Sequence, residues 1–403
     1  MKPHAGQDRA VTARWRPATR AVRGGTWRSA QGETSEAIFL TSGYCYASAE
    51  EAAARFRGEA AGMTYSRLQN PTVAMLEERI ALLEGAEAAR TTASGMAAMT
   101  AALMSHLSAG DHLVASRALF GSCRVLVDSI LPRFGIGTTV VDGRDPEAWA
   151  RALRPNTRAF FLETPANPTL DIIDIEAVAE LARSAGALLV VDNAFASPVL
   201  QRPLALGADV VAHSATKLMD GQGRVLAGAV CGPRAWVEEV FLAFTRHTGP
   251  VLSAFNAWVV LKALETLELR VLRASASALE IARFLEARGG VRVVYPGLPS
   301  HPQHALAERQ MRAGGSVLAL FTGGGRARAQ AVLDALELID ISNNVGDSRT
   351  LMAHPASTTH ASVSEEVRRE MGITEDMLRL SVGLEDPQDL IEDLDRALDR
   401  AGV

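Results

Sequence analysis

Six short apolar runs recur between residues 112 and 232: HLVAS (112–116), TTVVD (138–142), RAFFLE (158–163), ALLVVD (187–192), ADVVAHS (208–214) and LAGAVCG (226–232). Each is too short for a helix and too continuously apolar for a half-exposed strand, so each predicts a strand buried on both faces. Between them lie amphipathic stretches such as IEAVAELARSAG (175–186). Successive parallel strands need a crossover long enough to hold a helix, and this alternation supplies one. The pattern predicts an α/β chain built on a large, mostly parallel sheet.

The rest of the chain is organised around that block. Residues 1–60 look irregular and read as an N-terminal arm. In NPTVAMLEERIALLEG (70–85), Val73, Leu76, Ile80 and Leu83 recur at helical spacing and Gly85 is a plausible stop. A long helical segment is predicted over 253–289, followed by strands such as SVLALFT (316–322), further helices and a C-terminal acidic run expected to be a solvated helix face. A length of 403 residues allows two or three domains. We place a large domain at 61–265 and a smaller C-terminal α+β domain at 266–403.

Composition narrows the function classes. With 48% hydrophobic and 22% charged residues and a net charge of −5, the chain reads as a globular protein without the basic balance that nucleic acid requires. No apolar stretch approaches the ~20 residues that cross a bilayer. Cys45, Cys123 and Cys231 are far apart, which argues against a disulfide framework or a zinc site. His301 and His304, like His354 and His360, lack a metal-ligand helix spacing, and no metal is expected. The Arg-rich, acid-poor N-terminus has the character of a transit peptide but lacks the apolar core of a secretory signal, and the protein is expected to be cytoplasmic.

In open α/β sheets ligands bind beyond the carboxyl ends of the strands. Three runs end there in polar groups: FFLETPANP with Glu163 and Asn167, LLVVDNAF with Asp192, and VVAHSATK with Ser214, Thr216 and Lys217. Taken singly, Asp192 is a helix cap, Asn167 a turn residue, Ser214 and Thr216 N-caps, and Lys217 a surface charge. Taken together at matched strand ends, they read as one crevice holding a carboxylate, an amide, hydroxyls and an amine.

A phosphate site is suggested nearby. Ser94, Gly95 and Met96 open an Ala/Met-rich helical run, where free N–H groups and the positive helix end suit a phosphate. Tyr65 and Arg67, in MTYSRLQNPT, add a hydroxyl and a permanent cation. The Gly221-x-Gly223 pair lacks the third glycine of a dinucleotide fingerprint. Ser214-x-x-Lys217 also matches a serine-hydrolase signature, but no S-D-N lies between it and HTG (247–249). Phosphate site, aspartate and lysine are together what pyridoxal 5′-phosphate requires.

The ordered stretches YSRLQNPT, ASGMAA, ETPANP, VVDNAF, HSATK, HPASTTH (354–360) and LRLSVGLED (378–386) resemble the Cys/Met-metabolism family of pyridoxal-phosphate enzymes, from about residue 19 to the C-terminus. The resemblance implies the fold-type-I (aspartate-aminotransferase-like) architecture and a homotetramer of active dimers. It implies covalent attachment of the cofactor at Lys217, an Asp192 partner for the ring nitrogen, and phosphate contacts from Ser94, Gly95, Met96, Ser214 and Thr216. Tyr65 and Arg67 would reach the phosphate of a neighbouring subunit. Asn167 would contact the ring oxygen, and Arg379, with Asn344, would bind the substrate and its α-carboxylate.

Two positions depart from the wider family pattern. Phe120 stands where most relatives carry a tyrosine stacked on the cofactor, keeping the ring but losing the phenol. Asn344 stands where lyases and cystathionine γ-synthases tend to have serine. With LPSHPQH (298–304) and RHTGPVLSAFNAW (246–258), these features are similar to the branch that joins sulfide to O-succinylhomoserine. The expected reaction is therefore γ-replacement, O-succinyl-L-homoserine plus sulfide giving L-homocysteine plus succinate. An acetyl leaving group, a cystathionine γ-synthase and a methionine γ-lyase are the alternatives.

Overall fold

A computed structural model describes residues 9–403; the first eight residues of the expected arm lie outside the described residues. Seven strands form the larger sheet: β1 (Ala88–Thr92), β2 (His112–Ser116), β3 (Gly137–Val141), β4 (Thr157–Glu163), β5 (Leu188–Asp192), β6 (Val210–His213) and β7 (Gly228–Gly232), in the order β1-β7-β6-β5-β4-β2-β3. β3, β2, β4, β5 and β6 run parallel. Their residues alternate between two cores: Leu113, Ala115, Phe161 and Val190 face one, while Val114, Phe160, Leu162, Leu189 and Val191 face the other. Double-sided burial explains why β2, β4, β5 and β6 read as unbroken apolar runs. β3, expected to be buried on both faces, lies at the sheet edge and is mostly half-buried.

β7 is the exception, antiparallel to both β6 and β1. The link from β6 to β7 carries no helix, and without a crossover the chain can only return beside the strand it has left. β1 escapes the apolar pattern because Arg90 sits at its centre. There the guanidinium is neutralised by Glu77 at 2.9 Å and Glu238 at 2.6 Å.

Helix α1 (Pro71–Glu84) starts and stops where its sequence predicts. Asn70 caps it by accepting from Thr72 and Val73 N–H, and Gly85 ends it in the left-handed conformation at φ 75°. α2 (Gly95–Met104) follows β1, and α3 (Ile175–Ser184) precedes β5. The expected single helix over 253–289 is two, α4 (Ala254–Leu264) and α5 (Leu267–Arg288), broken at Glu265–Thr266.

The arm is less irregular than its sequence suggests. It holds helices Arg9–Thr12, Pro17–Arg23 and Ala49–Phe56. It is fastened by Arg79 of α1, which donates to Gly24 O at 2.8 Å, Thr26 Oγ1 at 3.0 Å and Glu36 Oε1 at 2.6 Å.

The second sheet joins β8 (Arg292–Val294), β9 (Val317–Phe321), β10 (Asp340–Ile341), β11 (Leu351–Ala353) and β12 (Met377–Ser381), in the order β10-β11-β12-β9-β8. Its core is closed by α5 and by the last helix, Pro387–Arg400. That helix is not wholly a solvated acidic face. Asp393 is buried and its carboxylate accepts from the N–H groups of Glu337, Leu338 and Ile339 at 2.9, 3.0 and 2.9 Å.

Candidate active site

The carboxyl ends of β4, β5 and β6 meet the second sheet around a cavity of about 220 Å³. Beyond β6 the chain turns tightly: Lys217 N–H donates to Ser214 O at 3.1 Å, and Gly221 N–H to Lys217 O at 2.8 Å. The turn projects Lys217 into the cavity, where Nζ donates to Asn344 Oδ1 at 2.7 Å. Burial, and then the nearby Arg379 guanidinium, lower the Lys217 pKa to about 8. A lysine so placed is a neutral nucleophile far more often than a solvated one.

The structure explains the glycines that follow. Arg270, from the first turn of α5, donates to Leu218 O at 2.8 Å and lies against the turn. A Cβ on Gly221 would sit 1.7 Å from its Nη1, and one on Gly223 would sit 2.5 Å from Asp347 Oδ2. Both glycines have left-handed φ values, 68° and 64°. It is this left-handed backbone, more than the movable side-chain tips beside it, that asks for glycine, and the pair belongs to the lysine turn, not to a nucleotide loop.

Asp192 ends β5 beside Glu163, its register partner at the end of β4. Burial raises the Asp192 carboxyl to about 6 against the opposing pull of the Ala194 N–H and of His213. Its Oδ1 accepts from Ala194 N–H at 3.0 Å, a turn contact; the helix that follows begins only at Ser197, so Asp192 does not cap it. Glu163 is pushed well above the usual carboxylate range by burial and then by Asp192.

Arg379 arrives from β12 on the opposite wall. Its Nη1 donates to Asn167 Oδ1 at 3.0 Å, and its Nη2 to Asn343 O at 2.8 Å and Asn344 O at 3.3 Å. Its Nε is buried without a partner, and burial lowers the guanidinium to about 10. A charge held this way is incompletely matched by protein and suited to an incoming carboxylate.

At the far end Ser94 caps α2, accepting from Ala97 N–H at 3.2 Å. Among the described residues, the N–H groups of Gly95 and Met96 meet no acceptor. A Cβ on Gly95 would lie 2.5 Å from Ser214 Cβ, so only glycine lets this helix end approach the β6 turn. The Thr216 hydroxyl is partly committed, accepting from Ala227 N–H at 3.0 Å.

Ser94, Gly95, Met96, Phe120, Asn167, Asp192, Ser214, Thr216, Lys217 and Arg379 thus converge on one cavity. Asn344 touches it through the Lys217 amine. Tyr65 and Arg67 do not line it: Tyr65 is 43% exposed, and Arg67 stacks over its ring and donates to Arg246 O. Glu163, Asn343, Phe195 and Cys123 also line the cavity without having been assigned a role. The signal for Glu163 was present, since it ends β4 as Asp192 ends β5. Cys123 is no nucleophile, because burial pushes its thiol well above the usual range.

The chain is similar to known proteins over nearly its whole length. The model of the family described as Cys/Met metabolism PLP-dependent enzyme matches residues 18–399. The chain is 53% identical over 386 residues to an O-succinylhomoserine sulfhydrylase of Mycobacterium tuberculosis, covering 94% of this chain and 95% of the relative. It is 51% identical over 381 residues to the enzyme of the same name from Pseudomonas aeruginosa, covering 94% of each. A Campylobacter jejuni crystal structure carrying N′-pyridoxyl-lysine-5′-monophosphate superposes with a TM-score of 0.92 at 32% identity, covering 96% of this chain and 100% of that one.

Proposed function

Because the chain belongs to the Cys/Met-metabolism family of pyridoxal-phosphate-dependent enzymes, we propose that it catalyses γ-replacement on O-succinyl-L-homoserine, with sulfide as nucleophile and L-homocysteine and succinate as products. The observation that carries the chemistry is the convergence of a lysine amine, a buried aspartate and a half-satisfied arginine on one cavity.

The residues fit pyridoxal phosphate. Free amides at Gly95 and Met96, and the cradle that a Cβ on Gly95 would fill, suit the phosphate, with Ser214 beside them. Asp192 would hold the ring nitrogen, Phe120 would stack on the ring, and Asn167 would meet its oxygen. When bound, the cofactor supplies an aldehyde that condenses with amines and an electron-poor ring that accepts an electron pair.

The chain's own groups do the rest. Arg379 binds the substrate α-carboxylate and so fixes which proton faces Lys217. Lys217 Nζ, its basicity lowered, takes that proton and passes protons between carbons. Asn344 holds the free amine in place while it waits. Phe120 provides no phenol, so Lys217 carries the proton traffic unaided by a tyrosine there. Over the cycle the Cγ–O bond breaks, succinate departs, and a Cγ–S bond forms to sulfide.

In this reading residues 61–265 hold the cofactor and residues 266–403 supply Arg379 and Asn344. Tyr65 and Arg67 serve the phosphate site of a neighbouring copy in a homotetramer of active dimers. Their exposure and their distance from this chain's own cavity support that role. Three free cysteines are consistent with work in a reducing cytoplasm.

Incubation with O-succinyl- or O-acetylhomoserine, and with sulfide or cysteine, tests the assignment. Homocysteine from the succinyl ester and sulfide is expected; dominant cystathionine formation would reject it. Mixing Lys217→Ala with Arg67→Ala protein should restore activity that neither has alone if sites are shared between copies.

A further inference from the structure

Glu163 is 2% exposed, and its two oxygens are both engaged by backbone donors from separate segments. Oε2 accepts from Phe120 N–H at 2.6 Å and Oε1 from Asn167 N–H at 3.1 Å. Phe120 brings the ring that lines one wall of the cavity. Asn167 uses its side-chain oxygen to accept from Arg379 Nη1 at 3.0 Å. One carboxyl group therefore indexes two elements of the site, the aromatic wall and, through Asn167, the guanidinium.

The residue type matters. Burial and Asp192 press Glu163 toward its neutral form, but an N–H facing each oxygen leaves no place for a carboxyl proton and favours the carboxylate. The carboxylate accepts on both oxygens, whereas the isosteric amide offers one acceptor and a donor. Glutamine here could satisfy either Phe120 or Asn167 but would turn an NH₂ group against the other N–H. Placing a second carboxyl beside Asp192, where both are buried, is costly, and a merely structural link could have used a neutral group.

We propose that Glu163 is a positioning residue that sets Phe120 and Arg379 relative to each other, and hence the fit of cofactor ring and substrate carboxylate. The proposal rests on the pyridoxal-phosphate reading above.

The test uses holoenzyme carrying Glu163→Gln, Asn167→Ala, or both. It reads the visible circular dichroism of the bound cofactor, and KM separately from kcat for O-succinylhomoserine. Glu163→Gln should raise KM about tenfold and weaken the visible dichroic band, while far-UV dichroism stays native. Because its effect on Arg379 runs through the Asn167 side chain, the KM penalty should shrink in the Asn167→Ala background. A normal KM and band in Glu163→Gln, or full additivity of the two changes, would overturn the proposal. Should Glu163→Gln fail to fold, Glu163→Asp keeps both acceptors one methylene short, and an unchanged band and KM there would overturn it equally. A wild-type protein without a visible band or turnover would instead reject the functional reading itself.

Discussion

Two buried ionic clusters in this protein have opposite settings. In the arm anchor, Arg79 is fully buried, and its donors meet Gly24 O, Thr26 Oγ1, Leu261 O and Glu36. Lys262 closes on the other oxygen of Glu36 at 3.0 Å. Burial alone would push Glu36 up, but Arg79 outweighs it and holds the carboxyl down at about 2. Around the active cavity the buried groups are pushed toward neutrality instead, Lys217 down to about 8 and Asp192 up to about 6. Burial is common to both; the presence of a matched partner decides. The anchor is a finished set of contacts, whereas the cavity groups are less fully matched by protein, the Arg379 Nε among them.

The largest test of that contrast is Lys217→Ala, which should cost about 10³-fold or more in turnover and abolish the cofactor's visible absorption. Breaking the anchor with Arg79→Met leaves Glu36 with Lys262 as its one remaining cation and should cost about 3 kcal/mol in denaturant unfolding. Adding Glu36→Leu should return most of it.

Asp192→Asn should lose activity while making the ligand-free protein more stable near neutrality. The folded carboxyl titrates above its ordinary value of 3.8, so its burial costs stability increasingly as pH rises toward about 6. Melting curves should show the gain above pH 6 and no gain below about 4. The smallest effect is kinetic. Capture of pyridoxal phosphate by the ligand-free protein should quicken as pH rises and level off above about 8, where Lys217 is neutral. A flat profile between pH 6 and 9 would mean that the amine is not set as described.

Much of this was legible in the sequence for identifiable reasons. Strands buried on both faces cannot hide their apolar runs, so β2, β4, β5, β6 and their polar ends were readable. Groups that act from strand ends, such as Asp192 and Lys217, inherit that legibility. What could not be read depends on partners distant in sequence. β1 is masked by Arg90, whose charge is cancelled by Glu77 and Glu238. Lys217 meets Asn344 across a separation of 127 residues. Asp393 looks like part of a solvated face until Glu337, Leu338 and Ile339 dock their amides on it. Gly221 and Gly223 make sense only once the left-handed turn after Lys217 is seen.

Lys217 is carried by the first sheet, Arg379 by β12 of the second, and Arg270 of α5 ties the second unit to the lysine turn. The placement of the guanidinium against the amine is therefore set by how the elements around the two sheets pack together. The site works as a caliper whose jaws belong to different parts. Substitutions at the seat of α5, remote from any substrate, would shift where a carboxylate held by Arg379 sits relative to the Lys217 amine.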